Sequence, residues 1–585
     1  MTPFIPENAP FDATQRLWLN GYMAGLLAGK GYAASGTATA NGAPGPAPTE
    51  PLLILFGSQT GTAEKLAKEF AKEARGRGFN ARVVDAASHA TVDWKNEHRL
   101  LVVTSTYGDG DMPDNAQSFW DWLKSDQGAG LAHLQYSVLA LGDTNYSEFC
   151  AAGKKLDERL ARVGAKRVYE RTDCDLDYEA KAREWIAGAL AVLSPAGRNG
   201  VAVSLPVEEK PSATGWSKTN PFPARLITNR RLNGDGSEKE TRHFEISLAG
   251  SGLNYEAGDA LGVWAANCPD LVNDFLRVMR ATGEEPVQLP AGEFSIRTAL
   301  TEKLEITRPS PELLAYFART DLTLAGLLIP ERKEDLKKWL WGRGIIDLLA
   351  EDLFKKVTPP ELVALLKPLA PRLYSISSSP KAHAGQVHLT INVVRYETHG
   401  RRRKGVASTF LADRAAGEIP VPVFVQTAHG FRLPANPETP VIMVGPGTGV
   451  APFRAFLHDR RATGATGKNW LFFGEQRAAT DFYYREELEQ MLAAGGLAKL
   501  STAFSRDQTE KIYVQNRMLE QAAELWAWLD AGAHFYVCGD ATRMAKDVDQ
   551  ALHSIIETAG GRSREEAVAY VAKLKADKRY QRDVY

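Results

Sequence analysis

Apolar and polar positions change rhythm several times along the chain. From Pro51 short apolar runs alternate with amphipathic stretches: Leu52–Phe56, a helical pattern to about Arg77, Ala81–Asp85, Leu100–Thr104 and Ser137–Leu141. Strand then helix at this spacing predicts a doubly wound parallel sheet. Beyond residue 222 the runs become short and β-like, as in His243–Leu248. Helical patterns such as Asp270–Met279 and Pro360–Leu366 interrupt them, so residues 268–366 read as a helical insertion in a β domain. β-like runs resume at Arg372–Ser379 and Val387–Tyr396, and strand–helix alternation returns with Val441–Val444 and Asn469–Phe473. Residues 33–50 and 196–221 are punctuated by Pro or Gly and poor in periodic structure, and read as linkers. The predicted divisions are 1–50, an N-terminal helix and linker; 51–195; the linker 196–221; 222–437; and 438–585. Within 1–32, Leu19, Tyr22, Met23, Leu26 and Leu27 share a helical face, either docking on their own chain or forming an oligomerisation arm.

Chemistry gathers where strands end. After Val441–Val444 comes a glycine turn with Gly445, Gly447 and Gly449, then a helix. Residues without Cβ let backbone N–H groups approach a pyrophosphate, and the helix start adds partial positive charge. Val450 stands where the strict dinucleotide fingerprint needs a third small residue. In 51–195, three loops follow buried strands. The first holds Ser58, Gln59, Thr60, Gly61, Thr62 and Ala63, with hydroxyls but no Walker lysine, which suits a phosphate monoester better than ATP. The second opens with Ser105, Thr106, Tyr107 and Gly108. The third runs through Leu141, Gly142, Asp143, Thr144, Asn145, Tyr146, Ser147, Glu148, Phe149 and Cys150. Tyr107 and Tyr146 can sandwich a flat heteroaromatic ring. Asp109, Asp111, Asp114, Asp143, Glu148, Asp173, Asp175 and Asp177 crowd the same edge, as solvated loops or as a docking face for a basic redox partner.

With 70 Lys plus Arg against 71 Asp plus Glu, the net charge of −1 gives no field for nucleic acid or a membrane surface. Four scattered cysteines without a C-x-x-C pair disfavour disulfides, zinc and cysteine-ligated iron–sulfur clusters, so a metal site is not expected. Neither a membrane-length apolar run nor a basic signal start is present, and the cytoplasm is the expected compartment.

These motifs resemble a known family. Residues 51–195 look like a flavodoxin-type FMN domain. The segments 372–379, 387–396 and 404–409, followed by the 445–454 turn, resemble the FAD/NADPH module of the ferredoxin–NADP reductase superfamily. The helical insertion and the upstream FMN domain narrow the likeness to diflavin reductases. The resemblance implies a flavodoxin-like sheet, an antiparallel FAD-binding barrel with a helical insertion, and a Rossmann-like NADP domain. It places FAD against Arg372, Leu373, Tyr374, Ser375, Thr390, Ile391, Asn392, Tyr396, Gly405, Val406, Ala407 and Ser408. It places NADPH against Gly447, Thr448, Gly449, Ser505, Arg506, Lys511, Ile512, Tyr513, Val514, Gln515 and Asp547. Arg506 and Lys511 offer charge to a 2′-phosphate, and the acidic ribose partner expected about 20 residues after the first glycine is missing. Both features favour NADPH over NADH.

Ser375, Cys538 and Asp583 match the family's polar trio beside flavin N5 and nicotinamide C4. Tyr585 matches the aromatic that stacks on FAD and must swing away. The implied relay runs from NADPH to FAD to FMN and then to a separate acceptor. The 11–22 stretch and the Arg582–Tyr585 end resemble the flavoprotein (alpha) subunit of assimilatory NADPH–sulfite reductase, whose acceptor is a sirohaem and iron–sulfur beta subunit reducing sulfite to sulfide. Many bacterial members carry glutamine where this chain has Tyr107. A soluble reductase serving a haem mono-oxygenase or a flavodoxin-like acceptor is the alternative, and a non-enzymatic assembly subunit a third.

Overall fold

The computed structural model describes residues 50–585 apart from 59–60, 108–109, 126–127, 129, 144–147, 176–177, 195–214, 352–356, 416, 418 and 429. The predicted N-terminal helix, both predicted linkers over most of their length, and Gln59, Thr60, Gly108, Asp109, Thr144, Asn145, Tyr146, Ser147 and Asp177 therefore lie outside the described residues.

The first sheet follows from period-two burial. In the strand Glu50–Gly57, Leu52, Ile54 and Phe56 enter one core while Leu53 and Leu55 enter another. A strand buried on both faces needs helices on both sides. Thr62–Gly76 and Glu179–Leu193 cover the first core; Asp114–Lys124 and Ala151–Arg162 cover the second. The strand order is Phe79–Asp85, Glu50–Gly57, Arg99–Ser105, Gln135–Leu141, Lys166–Arg167, with Thr172–Cys174 also on Gln135–Leu141. The chain reverses its direction of travel at Glu50–Gly57 and Arg99–Ser105, which are parallel neighbours. Ligands of such sheets sit beyond the strand C-termini at that point.

The β domain is a six-stranded antiparallel sheet in the order Arg372–Ser375, Ala260–Val263, Val421–Gln426, Phe222–Arg231, Thr241–Ser247, Gln386–Asn392. An antiparallel bridge between Ile376 and Leu389 joins the two ends, and Ser377 N–H donates to the His388 carbonyl at 2.8 Å, which closes the barrel. Between Ala260–Val263 and Arg372–Ser375 lies the insertion, with a core of its own around Phe275, Leu300, Phe317 and Ile346. It is not wholly helical: Pro286–Leu289 and Gly292–Ser295 form a hairpin. The predicted strand Val387–Tyr396 also divides. It ends at Asn392: the Val393 N–H still donates in register to the Glu240 carbonyl, but the Val394 N–H turns to the Ser408 hydroxyl instead of a neighbouring strand. A tight hairpin, Arg395–Thr398 with Arg401–Lys404, follows. Its two turn residues, His399 and Gly400, have φ of 49° and 66°, the left-handed pair that this turn requires.

The third sheet is parallel throughout, in the order Lys499–Phe504, Asn469–Glu475, Val441–Val444, His534–Gly539, Tyr580–Val584. Its direction reverses between Val441–Val444 and His534–Gly539, where the glycine turn lies. Among the described residues, no helix is long and apolar enough to cross a membrane.

Candidate functional site

The expected site residues lie at three places: the loops of the first sheet, a cleft on the barrel and the glycine turn of the third sheet. At the first sheet, the Ser58 hydroxyl accepts from the Gly61 and Ala63 N–H groups at 2.9 and 3.2 Å, shaping the turn into the helix Thr62–Gly76. Gly61 has φ 87°, a conformation that suits glycine. In the second loop Tyr107 and Asp111 pair through both backbone hydrogen bonds, at 3.0 and 2.8 Å. The Thr106 hydroxyl accepts from Ala152 N–H at 3.2 Å. The hydroxyls of Ser105 and Tyr107 are buried without a hydrogen-bond partner among the described residues. Burial pushes the Tyr107 phenol up to about 12. In the third loop Cys150 is buried, its thiol directed at the Ala140 and Cys174 carbonyls at 3.4 and 3.5 Å, so it holds the loop rather than facing a ligand. A Cβ on Gly142 would meet Cys150 N at 2.8 Å, which fixes glycine there. Buried hydroxyls left unpaired are costly unless a ligand satisfies them, and this pair fits a polar group docked at the loop.

The second place is a cleft of about 1210 Å³ on the barrel. Arg372, Tyr374, Asn392, Tyr396 and Gly405 to Ser408 line it. Arg372 also reaches Glu305 at 3.3 Å. The side chains of Thr390 and Ile391 do not face the cleft. Strand alternation turns Thr390 onto the Tyr484 hydroxyl at 2.6 Å and Ile391 into the barrel core, leaving only their backbone for a ligand. The insertion adds wall residues that carry no motif: Arg308, Lys333, Trp341, Gly342 and Arg343. Their contribution follows from the fold and left no periodic signal in the sequence.

The third lies over the glycine turn. A Cβ on Gly449 would stand 2.1 Å from the Cys538 carbonyl oxygen, so the turn and the neighbouring strand can approach only through glycine. Ser505 N–H donates to the Glu475 carbonyl at 2.9 Å. Arg506 pairs with Glu238 at 2.6 Å, an acid on the barrel's 232–240 loop. Gln515 donates to Asp547 at 3.1 Å, and the Tyr513 ring is 46% exposed. Val514 is buried and Ile512 packs on the same core, so of residues 511–515 only Lys511, Tyr513 and Gln515 can present side chains.

Between the barrel and the third sheet, three strands bring together groups far apart in sequence. The Ser375 hydroxyl donates to Asp583 Oδ2 at 2.6 Å, and Cys538 Sγ lies 3.8 Å from the same oxygen. Burial pushes the Asp583 carboxyl up, opposed by those two hydrogen bonds. Burial, then the Asp583 charge, pushes the Cys538 thiol well above its ordinary range, so it stays protonated and donates. Tyr585 is anchored by its backbone, donating to the Gly539 carbonyl at 3.0 Å and accepting from Ala541 at 3.1 Å. Its hydroxyl meets that of Thr448 at 2.9 Å, and its ring is 55% exposed.

The acidic edge of the first sheet is engaged within the chain. Asp111 meets Lys546 at 3.3 Å, Asp114 pairs with Arg582, Glu148 with Lys333, and Asp173 with Arg171. The two lysines belong to no motif, and Arg582 belongs only to the chain-end stretch that carries the family likeness.

Family models match three successive parts of the chain. The flavodoxin family matches residues 54–185, the FAD binding domain 215–410 and the oxidoreductase NAD-binding domain 443–550. The chain is 45% identical over 579 residues to the sulfite reductase (NADPH) flavoprotein alpha-component of Bacillus subtilis, covering 98% of this chain and 96% of the relative. The corresponding protein of Vibrio cholerae is 44% identical over 582 residues, covering 98% and 94%. That of Mannheimia succiniciproducens is 42% identical over 596 residues, covering 100% and 99%. FMN, FAD and NADPH are the cofactors of such an assembly of domains, and the chain belongs to the sulfite reductase (NADPH) flavoprotein alpha-component family.

Proposed function

We propose that the chain draws electrons from NADPH and delivers them through two flavins to a separate haemoprotein subunit that reduces sulfite. When bound, nicotinamide donates a hydride, FAD takes up its two electrons and FMN releases them singly, the proton passing to solvent. The observation that carries the reading is the meeting of Ser375, Cys538 and Asp583 between the barrel cleft and the glycine turn.

The chain's residues then divide the work. Ser58, Gly61, Thr62, Ser105, Thr106 and Tyr107 hold FMN, the buried Ser105 and Tyr107 hydroxyls finding their partners there. Arg372, Tyr374 and the turn 405–408 hold FAD, Arg372 pairing with pyrophosphate. Ser505, Arg506, Lys511 and Gln515 take the 2′-phosphate, and Tyr513 gives its exposed face to adenine. Asp583, held by two donors, keeps a carboxylate beside the ring that becomes cationic as its hydride leaves. Tyr585 would lie over the flavin ring and would have to move for nicotinamide to enter.

Nothing in the chain's own side-chain chemistry is suited to reduce sulfite, so the haemoprotein subunit completes the reaction. The cytoplasm suits both subunits. The test is reconstitution. Purified chain with FAD and FMN should reduce cytochrome c with NADPH alone, and should convert sulfite to sulfide only when a sirohaem subunit is added. Flavin-loaded chain that reduces cytochrome c but supports no sulfide formation with that subunit would redirect the proposal to another haemoprotein acceptor.

A further inference from the structure

We propose that Arg582 is a positioning residue that seats the flavodoxin-like domain on the hydride-transfer strand, an inference that rests on the relay reading above. Strand alternation sends Arg582 and Asp583 to opposite sides of Tyr580–Val584. Asp583 turns to Ser375 and Cys538. Arg582 turns to the second loop of the first sheet, where its Nε donates to Asp114 Oδ2 at 2.7 Å and a second guanidinium N–H meets Oδ1. This is the two-pronged fit of guanidinium to carboxylate. The guanidinium carbon lies 5.6 Å from the Tyr107 ring centre and 6.0 Å from that of Tyr580. The pair is largely withdrawn from solvent, with side-chain exposures of 12% and 23%.

Around it the loop is held in two further ways. Asp114 opens the helix Asp114–Lys124, whose positive end favours a carboxylate. Asp111, paired by backbone to Tyr107, meets Lys546 on the helix that also carries Asp547. That second ion pair is exposed and contributes little. Of the two ion pairs described between this loop and the third-sheet domain, the fork of Arg582 is the more enclosed and the stronger grip.

The loop carries Ser105 and Tyr107, the buried hydroxyls assigned to FMN. One strand thus presents the hydride trio on one side and holds the FMN loop on the other. Hydride uptake uses the first side only; passage of the same two electrons, one at a time, to FMN needs the second. No further reductant enters this step. Lysine cannot replace Arg582, since it lacks the planar fork and the ring stacking.

Rapid mixing of the flavin-loaded chain with NADPH resolves the two steps. In Arg582→Gln and in Asp114→Asn, reduction of the first flavin should stay within about threefold of wild type. Reduction of the second should fall by about tenfold or more, the size expected when a buried charge pair is broken. Small-angle scattering at low salt should show a larger maximum dimension in both variants. Combining Arg582→Asp with Asp114→Arg should recover part of the second rate. Both FAD and FMN contents must match wild type; if Arg582→Gln loses flavin, Asp114→Asn decides. Unchanged second rates and scattering would overturn the proposal, as would an equal fall in the first rate, which would assign Arg582 to the hydride site. A wild-type chain that takes no electrons from NADPH would instead defeat the relay reading, while scattering would still report the seating.

Discussion

In the proposed relay, cofactor choice and access rest on single side chains. Arg506 is 40% exposed and its partner Glu238 is 74% exposed, so the pair adds little to stability. A charge-assisted contact to a phosphate is worth roughly 1.5–3 kcal/mol. Arg506→Ala should therefore cut kcat/KM for NADPH by about 10- to 100-fold and leave NADH and the melting temperature nearly unchanged. Steady-state kinetics with both nucleotides checks this, and equal losses would remove Arg506 from the 2′-phosphate. Tyr585 is held by backbone hydrogen bonds while its ring stays accessible. Tyr585→Ala should raise the rate of flavin reduction by NADH in stopped flow and slow NADPH turnover through tighter product binding. No gain with NADH would mean that another group covers the flavin. Residues of this kind were legible unequally. Arg506 and Lys511 announce themselves as cations after a strand. Ser375, Cys538 and Asp583 do not, because a trio separated by up to 208 positions has no spacing rule and emerged only from family likeness.

Elements were more legible than their ends or their facing. Both parallel sheets follow from buried apolar runs alternating with amphipathic ones, and the three glycine-rich loops fell at strand ends as the alternation required. The Val387–Tyr396 run misled because its β-branched residues continue through a break at Val394, whose N–H the Ser408 hydroxyl takes from outside the strand. A contiguous motif does not reveal side-chain direction: at Thr390, Ile391 and Val514 a strand or helix start turns the side chain inward. The glycine turn offers a test at this scale. Gly449→Ala places a methyl against the Cys538 carbonyl, an overpacking cost of about 1–3 kcal/mol. NADPH-driven flavin reduction should fall by about tenfold or more, whereas dithionite should still reduce both flavins fully. Loss of bound FAD would show that the damage spreads beyond the turn. In the first sheet, Thr62→Val should lower FMN content and spare FAD; equal loss of both would argue against separate flavin sites.

For the whole molecule, the contacts between domains were the least legible, since a cation such as Arg582 or Lys546 meets its acid only after each sheet has formed. One such joint is rich in histidine. His243 and His388 lie between barrel and nucleotide domain beside Arg454, with His383, His458, Glu245, Glu487 and Tyr484 around them. Burial and then Arg454 lower His243, and the same causes hold His388 down to about 2. Both imidazoles are neutral in the folded chain, whereas the unfolded chain binds protons below about 6.5. Their contribution is full above that value and is lost as pH falls below it, by up to about 1.4 kcal/mol per pH unit for each ring. The melting temperature should drop between pH 7 and pH 5, and less steeply in His388→Gln; identical slopes would place the sensitivity elsewhere. The barrel has a further consequence, for the order of folding. Its strands Ala260–Val263 and Arg372–Ser375 pair across the whole insertion, and closing so long a loop in a flexible chain is slow. The insertion has its own core, and its base is tied by the Leu304–Pro368 bridge and by Leu369 N–H to the Lys303 carbonyl at 2.7 Å. Once that core forms, the two barrel strands are already brought near each other. The segment that walls the FAD cleft would then also be the folding nucleus for the barrel beneath it.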